Sequence, residues 1–170
     1  MAEYKGINYL RSKLEQKRKG VIRRYRYYDM KNIARDLNIS TPPELRWFMG
    51  CLGWCGKAVD SLADRLTIRG FRNDNFNIEE IFNMNNPDVL YSSVIHGALV
   101  SACDFIYISQ DAEGYPRLQV INGGDATGIL NPIVGMLDEG YAVLERDDHG
   151  NPLIEAYFIK GQTQYHYKGI

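Results

Sequence analysis

Tyr4, Ile7, Leu10 and Leu14 recur three or four residues apart, and Lys13, Lys17, Arg18 and Lys19 fill positions between and after them. That spacing predicts a basic amphipathic helix, bending or stopping near Gly20. Residues 21–28 follow and are dense in Arg and Tyr. Thr41-Pro42-Pro43-Glu44 has the form of a helix start: Thr41 as N-cap, Pro42 at the first helical position, and Glu44 closing a capping box. The apolar stretch 45–54 is interrupted by Gly50 and Gly53 and fits no single element. Val59, Leu62, Ala63 and Leu66 then form the apolar stripe of a short amphipathic helix, with Asp60 and Asp64 beside it. Residues 67–71 read as a short strand. Asn77 and Glu80 are spaced as a second capping box before Ile81 and Phe82. Asn86-Pro87 opens a longer helix with Leu90, Val94 and Ala98 on one face. Its Ser92, Ser93, Gly97, Ala98, Ser101 and Ala102 make it thin, which permits close packing.

After Cys103 the period changes from helical to alternating. Phe105-Ile106-Tyr107-Ile108 is a strand, 111–114 a turn, and 118–121 a returning strand. Residues 141–145 and 153–159 flank the turn sequence Asp147-Asp148-His149-Gly150-Asn151, and 163–167 adds a further strand. Helices first and hairpins later predict an α+β fold. The hairpins at 103–121 and 141–167 are expected to pack on the helices at 56–66 and 87–102. Residues 1–40 read as a basic helical segment and 41–170 as the α+β domain. No repeat or low-complexity linker is visible. The last strand breaks off at Lys168-Gly169-Ile170, so we expect a piece of a longer chain.

Composition narrows the class. The chain has 170 residues, 45% hydrophobic and 24% charged, enough for one good core or two small ones and too apolar for a disordered chain. No apolar run approaches the ~20 residues of a membrane span, and the N-terminus has no signal-peptide pattern. We therefore expect a cytoplasmic protein without a membrane partner. Cys51, Cys55 and Cys103 are an odd count without framework spacing, which fits reduced thiols.

The net charge of −1 hides an asymmetry. Residues 1–46 hold 12 Lys/Arg against 5 Asp/Glu, hence +7, and the rest hold 8 against 16, hence −8. The candidate contact residues are Lys13, Lys17, Arg18, Lys19, Arg23, Arg24 and Arg26. They could face DNA phosphate, face an acidic neighbouring subunit, or simply line a solvated helix. Arg on phosphate and Tyr on bases would suit nucleic acid over 21–28. Tyrosines packed on the next element are the favoured alternative, because stacking modules are usually sheets.

Little else carries chemistry. Cys51 and Cys55 share a helix face, but a zinc site needs two more ligands, and the histidines are scattered. His96 and Cys103 lack the third, orienting group of a nucleophilic pair. Asp60 and Asp64 could hold a divalent cation with a phosphate, but no third carboxylate is placed beside them. Residues 122–128 are glycine-rich yet lack the Lys-Ser/Thr of a P-loop and the GxGxxG fingerprint. We expect no catalytic residue, cofactor or metal, and no enzyme.

The order of segments resembles a family. Tyr27-Tyr28-Asp29 follows the basic helix. Pro42-Pro43-Glu44-Leu45-Arg46 comes next, and then Val59-Asp60-Ser61-Leu62-Ala63-Asp64-Arg65-Leu66 with Arg69-Gly70-Phe71-Arg72, the most specific part. His96-Gly97-Ala98-Leu99-Val100-Ser101-Ala102 leads into the first strand, and the turn at 147–153 completes the match. This is similar to the N-terminal half of portal proteins of long-tailed, siphovirus-type phages, over residues 27–167. Three departures stand out. Met30 and Ala102 occupy places where the family usually has glycine, and the 122–128 loop lacks the usual proline.

The resemblance implies a wing-like α+β region of a protein that forms a dodecameric ring at one capsid vertex. It implies a virion location, assembly in a bacterial cytoplasm, and non-specific passage of double-stranded DNA along the axis. It implies partners: further copies of itself, a terminase, scaffold or capsid proteins, and head-completion proteins. It carries over no catalytic residue. Pro42, Pro43, Glu44, Val59, Asp60, Leu62, Asp64, Arg65, Leu66, Gly70 and Phe71 enter as structural motif positions. Two other readings compete: a basic nucleic-acid-binding module, and a small cytosolic enzyme.

Overall fold

The computed structural model describes residues 4–31, 42, 53–72 and 76–168. The elements run α1 (Ile7–Tyr28), α2 (Trp54–Ala63), α3 (Ile78–Met84), α4 (Pro87–Ser101), β1 (Phe105–Gln110), β2 (Pro116–Ile121), β3 (Ala126–Leu130), β4 (Leu137–Arg146), β5 (Pro152–Ile159) and β6 (Gln162–Tyr167). The fold is α+β, with helices first and antiparallel strands after. β1 and β2 form a hairpin, and β3 to β6 form a four-stranded meander in chain order.

Helix α1 runs unbroken for 22 residues, so the bend or stop expected at Gly20 is absent. A Cβ at Gly20 would meet nothing, whereas Leu14 and Val21 are buried. Burial of that stripe outweighs the ~1 kcal/mol that glycine costs inside a helix. Leu10 and Leu14 pack with Tyr141, Val143 and Tyr157, so α1 shares a core with the meander. Ile121, Ala126 and Ala142 form a second cluster that joins the hairpin to the meander.

Helix α4 packs on β2, as expected for the first hairpin, and α2 lies against α1 and α4. The helix covering β3 and β4 is α1, where the helices at 56–66 and 87–102 were expected. The apolar stripe of 59–66 is also less buried than its spacing predicts. Ala63 is buried, but Leu62 is 47% exposed and Leu66 is exposed too. Helix α2 ends at Ala63, so Leu66 falls beyond the helix that would have kept it on the inner face. Residues 67–71 are irregular, not a strand.

Helix α3 begins after Asn77 as predicted, but without a capping box. Asn77 is left-handed (φ 55) and its side chain makes no cap hydrogen bond. The strand β3 and the first part of β4 were not visible in the sequence, and residues 122–128 are a turn only as far as Asp125. Ala126, Thr127 and Gly128 have little strand propensity. They form a strand because β4 comes close: a Cβ on Gly128 would lie 2.9 Å from the Glu139 carbonyl oxygen. The glycine there serves backbone approach rather than phosphate. Thr41, Pro43, Glu44 and Cys51 lie outside the described residues, with most of the 45–54 stretch.

Candidate functional site

The basic face of α1 is largely engaged within the chain. Lys13 Nζ donates to the Gly128 carbonyl at 2.7 Å, and Lys17 Nζ donates to the Ala126 carbonyl at 3.0 Å. β3 is the edge of the meander, so these outward carbonyls have no strand partner. Four residues of helix rise about 6 Å and two residues of strand about 6.7 Å, so lysines at i and i+4 match carbonyls at j and j+2. An open edge is an aggregation hazard that charged side chains blunt, and here the helix does so. Lys17 also approaches Cys103 Sγ at 3.1 Å and lies over the Phe105 ring. Arg24 Nη1 donates to Ser101 O at 3.1 Å at the end of α4, and Arg18 Nε lies 3.8 Å from Asp125 Oδ1. Lys19, Arg23 and Arg26 remain exposed.

Two buried glutamates tie α1 to the sheet. Glu155 is 1% exposed and is paired with Arg11, with Lys168 Nζ at 3.4 Å and the Tyr141 hydroxyl donating at 2.5 Å. Burial pushes the Glu155 carboxyl up. The hydrogen bonds from Arg11 and Tyr141 and the charges of Arg11 and Lys168 outweigh that and leave it below its usual range. Glu139 accepts from Lys5 N–H at 2.6 Å, Gly6 N–H at 3.0 Å and the Tyr157 hydroxyl at 2.7 Å. A carboxylate from β4 thus satisfies free N–H groups just ahead of α1, where the helix dipole favours negative charge. Burial and the Glu139 carboxylate push the Tyr157 phenol up to about 12.

A cleft of about 340 Å³ lies between α1 and α4, reaching Asn122 after β2. Three motif segments meet there. The Tyr28 hydroxyl donates to Asp60 Oδ1 at 2.8 Å, and His96 Nε2 lies 3.7 Å from the same oxygen. His96 Nδ1 lies 2.9 Å from the Ser92 carbonyl, so Nε2 can act as a cationic partner of Asp60 only when both ring nitrogens carry a proton. The Asp60 carboxylate raises the Tyr28 phenol, and burial adds to this.

Deeper in, Asp104 Oδ1 accepts from Gly123 N–H at 2.8 Å and lies 2.9 Å from Ser101 Oγ. Burial raises the Asp104 carboxyl against those two hydrogen bonds and the charge of Lys17. The thin helix explains the fit, since a Cβ on Gly97 would lie 1.7 Å from Asp104 Oδ2. Asn122 Nδ2 donates to the Tyr25 hydroxyl at 2.5 Å. Tyr25 and Tyr28 therefore meet neighbouring elements, as the favoured alternative expects, while Tyr27 is 54% exposed.

As chemistry, the cleft is a joint between helices. His96 and Cys103 have different partners, so they do not form a pair. Asp60 turns to Tyr28 and His96, while Asp64 caps the end of α2 and is exposed. Among the described residues, no group of three or more His, Cys, Asp or Glu is placed to hold a metal ion, and no helix is long and apolar enough to cross a membrane. Val59 is half-buried, Arg65 is exposed, Pro42 is exposed, and Gly70 is left-handed at φ 116. Phe71 meets Phe82 edge to face with ring centres 5.5 Å apart. The pairing of Tyr28, Asp60 and His96 was beyond sequence reasoning, since nothing local links them. No protein-family model and no curated protein matches the chain.

Proposed function

We propose that this chain is the N-terminal, wing-region part of a tailed-phage portal protein, a structural ring component through which double-stranded DNA passes, rather than an enzyme. The observation that carries this reading is the meeting of Tyr28, Asp60 and His96. Each comes from a different segment of the resemblance, so the segments work as one joint. Backbone geometry supports it further. Met30 and Ala102, which replace the family's glycines, are left-handed at φ 57 and φ 73, and Gly70 keeps its glycine at φ 116. Glycine is the residue that adopts such angles without strain.

On this reading the protein sits at a capsid vertex and meets copies of itself, a terminase, capsid or scaffold proteins and head-completion proteins. Of the seven candidate contact residues, Lys19, Arg23 and Arg26 are left for DNA or a neighbouring subunit. With so few, DNA binding is weak, non-specific and steeply salt-dependent. The engagement of Lys13, Lys17, Arg18 and Arg24 within the chain counts against a dedicated nucleic-acid module.

The test is electron microscopy of the protein expressed from its complete gene, with a salt titration on random duplex. Rings with an axial channel and weak, salt-sensitive binding are expected. A monomer that holds one DNA sequence tightly at high salt would sink the reading.

A further inference from the structure

Arg11, Leu14, Glu15 and Arg18 lie three or four positions apart on α1 and so share one helix face. Opposite that face stands the turn between β4 and β5. The Asp147 carboxylate accepts from His149 N–H at 3.0 Å and Asn151 N–H at 2.7 Å, and Arg146 Nη1 donates to the Gly150 carbonyl at 2.9 Å. The turn is therefore held in one shape. Helix face, turn and the end of β6 border a cleft of about 370 Å³, at the small end of the ~300–1,000 Å³ of small-molecule sites. Four cations line it, Arg11, Arg18, Arg146 and Lys168, against two carboxylates, Glu15 and Glu155.

Pairing within the chain does not use up that charge. Arg11 neutralises Glu155, and Arg146 neutralises Asp125 through Nε at 2.8 Å and Nη2 at 2.7 Å. The contact of Arg18 is a long one, Nε at 3.8 Å from the same Asp125 oxygen that Arg146 holds. Lys168 Nζ lies 3.4 Å from a Glu155 oxygen that already accepts from Tyr141. The two side chains are 35% and 52% exposed, so neither is locked in place. Two loosely held cations thus reach one cleft from opposite walls, with the exposed Glu15 as the remaining lining acid. Exposed His149 stands beside them, where its imidazole N–H adds a donor.

We propose that this cleft binds one phosphate group of a small molecule, held by Arg18 from the helix and Lys168 from the end of β6. The planar fork of an arginine matches two phosphate oxygens, and a lysine supplies a point charge. A phosphate group carries nearly two negative charges at neutral pH, which answers the excess better than a carboxylate does. The cleft does not suit the backbone of duplex DNA. Its walls carry Glu15, Asp147 and Asp148, so an extended polyanion laid across them meets like charge, whereas a single small anion reaches the cations between them. The site goes beyond the ring-forming reading and stands without it. Both cations are partly in solvent, so binding is weak, with a dissociation constant of about 1 mM.

The test titrates the nitrogen-15-labelled chain with inorganic phosphate at neutral pH, with ionic strength held constant by sodium chloride, and follows backbone and arginine side-chain signals. Saturable shifts are expected at Arg18, at 146–151 and at Lys168. Arg18→Gln and Lys168→Gln should each weaken binding about fivefold or more, while Lys19→Gln, an exposed neighbour outside the cleft, should leave it unchanged. Arg18→Lys keeps the charge, loses the fork and should fall between. Shifts that never saturate, that chloride alone reproduces, or that Lys19→Gln weakens as much as Arg18→Gln each overturn the proposal. So does unchanged affinity in both Arg18→Gln and Lys168→Gln. Random duplex that displaces phosphate from the cleft would overturn the small-molecule assignment in favour of backbone phosphate.

Discussion

The two β layers of this chain are finished in opposite ways. The meander is closed over by α1: Leu10 and Leu14 seal its core, Lys13 and Lys17 cover its edge, and Glu139 and Glu155 are buried with their hydrogen bonds made. The β1–β2 hairpin has α3 and α4 on its outer face but leaves a groove between them, and Ile106, Ile108 and Phe71 stay exposed. The first layer spends its apolar surface on its own stability. The second keeps apolar surface in reserve, where an added charge does little harm to the fold. The difference locates the stability of the domain in the first layer.

Four measurements break or sharpen that comparison, the largest first. Leu14→Asp should unfold the domain, because a buried unpaired charge costs several kcal/mol, on the order of 4. Leu62→Asp, on the exposed side of α2, should change denaturant stability by no more than about 1 kcal/mol. Equal losses from the two would show that α1 is no more central than α2.

Arg11→Met should lower stability by about 3 kcal/mol, since it leaves the buried Glu155 short of its main partner. The same site sets a pH dependence. Glu139 and Glu155 are both held below the ordinary carboxylate value of 4.5 in the folded chain. Their contribution is complete above that value and is lost as pH falls through their lower folded values. Urea melts from pH 6 to pH 3, roughly the span this linkage affects, should show falling stability, and Glu155→Gln should flatten the acid limb. A Glu155→Gln variant with an unchanged acid limb would remove that residue from the account.

Lys17→Met should cost about 1 kcal/mol by freeing a β3 edge carbonyl, and Lys13→Met the same. Hydrogen exchange should show faster opening of β3 than of β5. Equal protection of the two strands would mean that the edge needs no cover.

Ala102→Gly is the smallest effect and the one of opposite sign. Ala102 sits at φ 73 after α4, where a Cβ costs about 1 kcal/mol, so glycine should raise stability by roughly half that or more. Met30→Gly, at φ 57, should behave the same way. Destabilisation by either variant would argue against the left-handed backbone and the support it lends to the resemblance.

The sequence by itself determined the order of elements. The three-to-four spacing of Leu10 and Leu14 marked α1, Asn86-Pro87 marked the start of α4, and alternation after Cys103 marked β1, β2, β5 and β6. These signals are local: helical and strand periods are written by neighbours a few residues apart. The tertiary structure alone decided three things. It kept α1 continuous through Gly20, by burying the stripe on either side. It made a strand of Ala126-Thr127-Gly128, by bringing β4 against residues that have no strand preference of their own. It turned two lysines of a basic helix into the cover of a sheet edge, through contacts such as Lys13 to Gly128, 115 positions apart. Tyr28, Asp60 and His96 met for the same reason. A charge or hydroxyl finds its partner across the fold according to which faces are buried together, and no spacing along the chain records that choice.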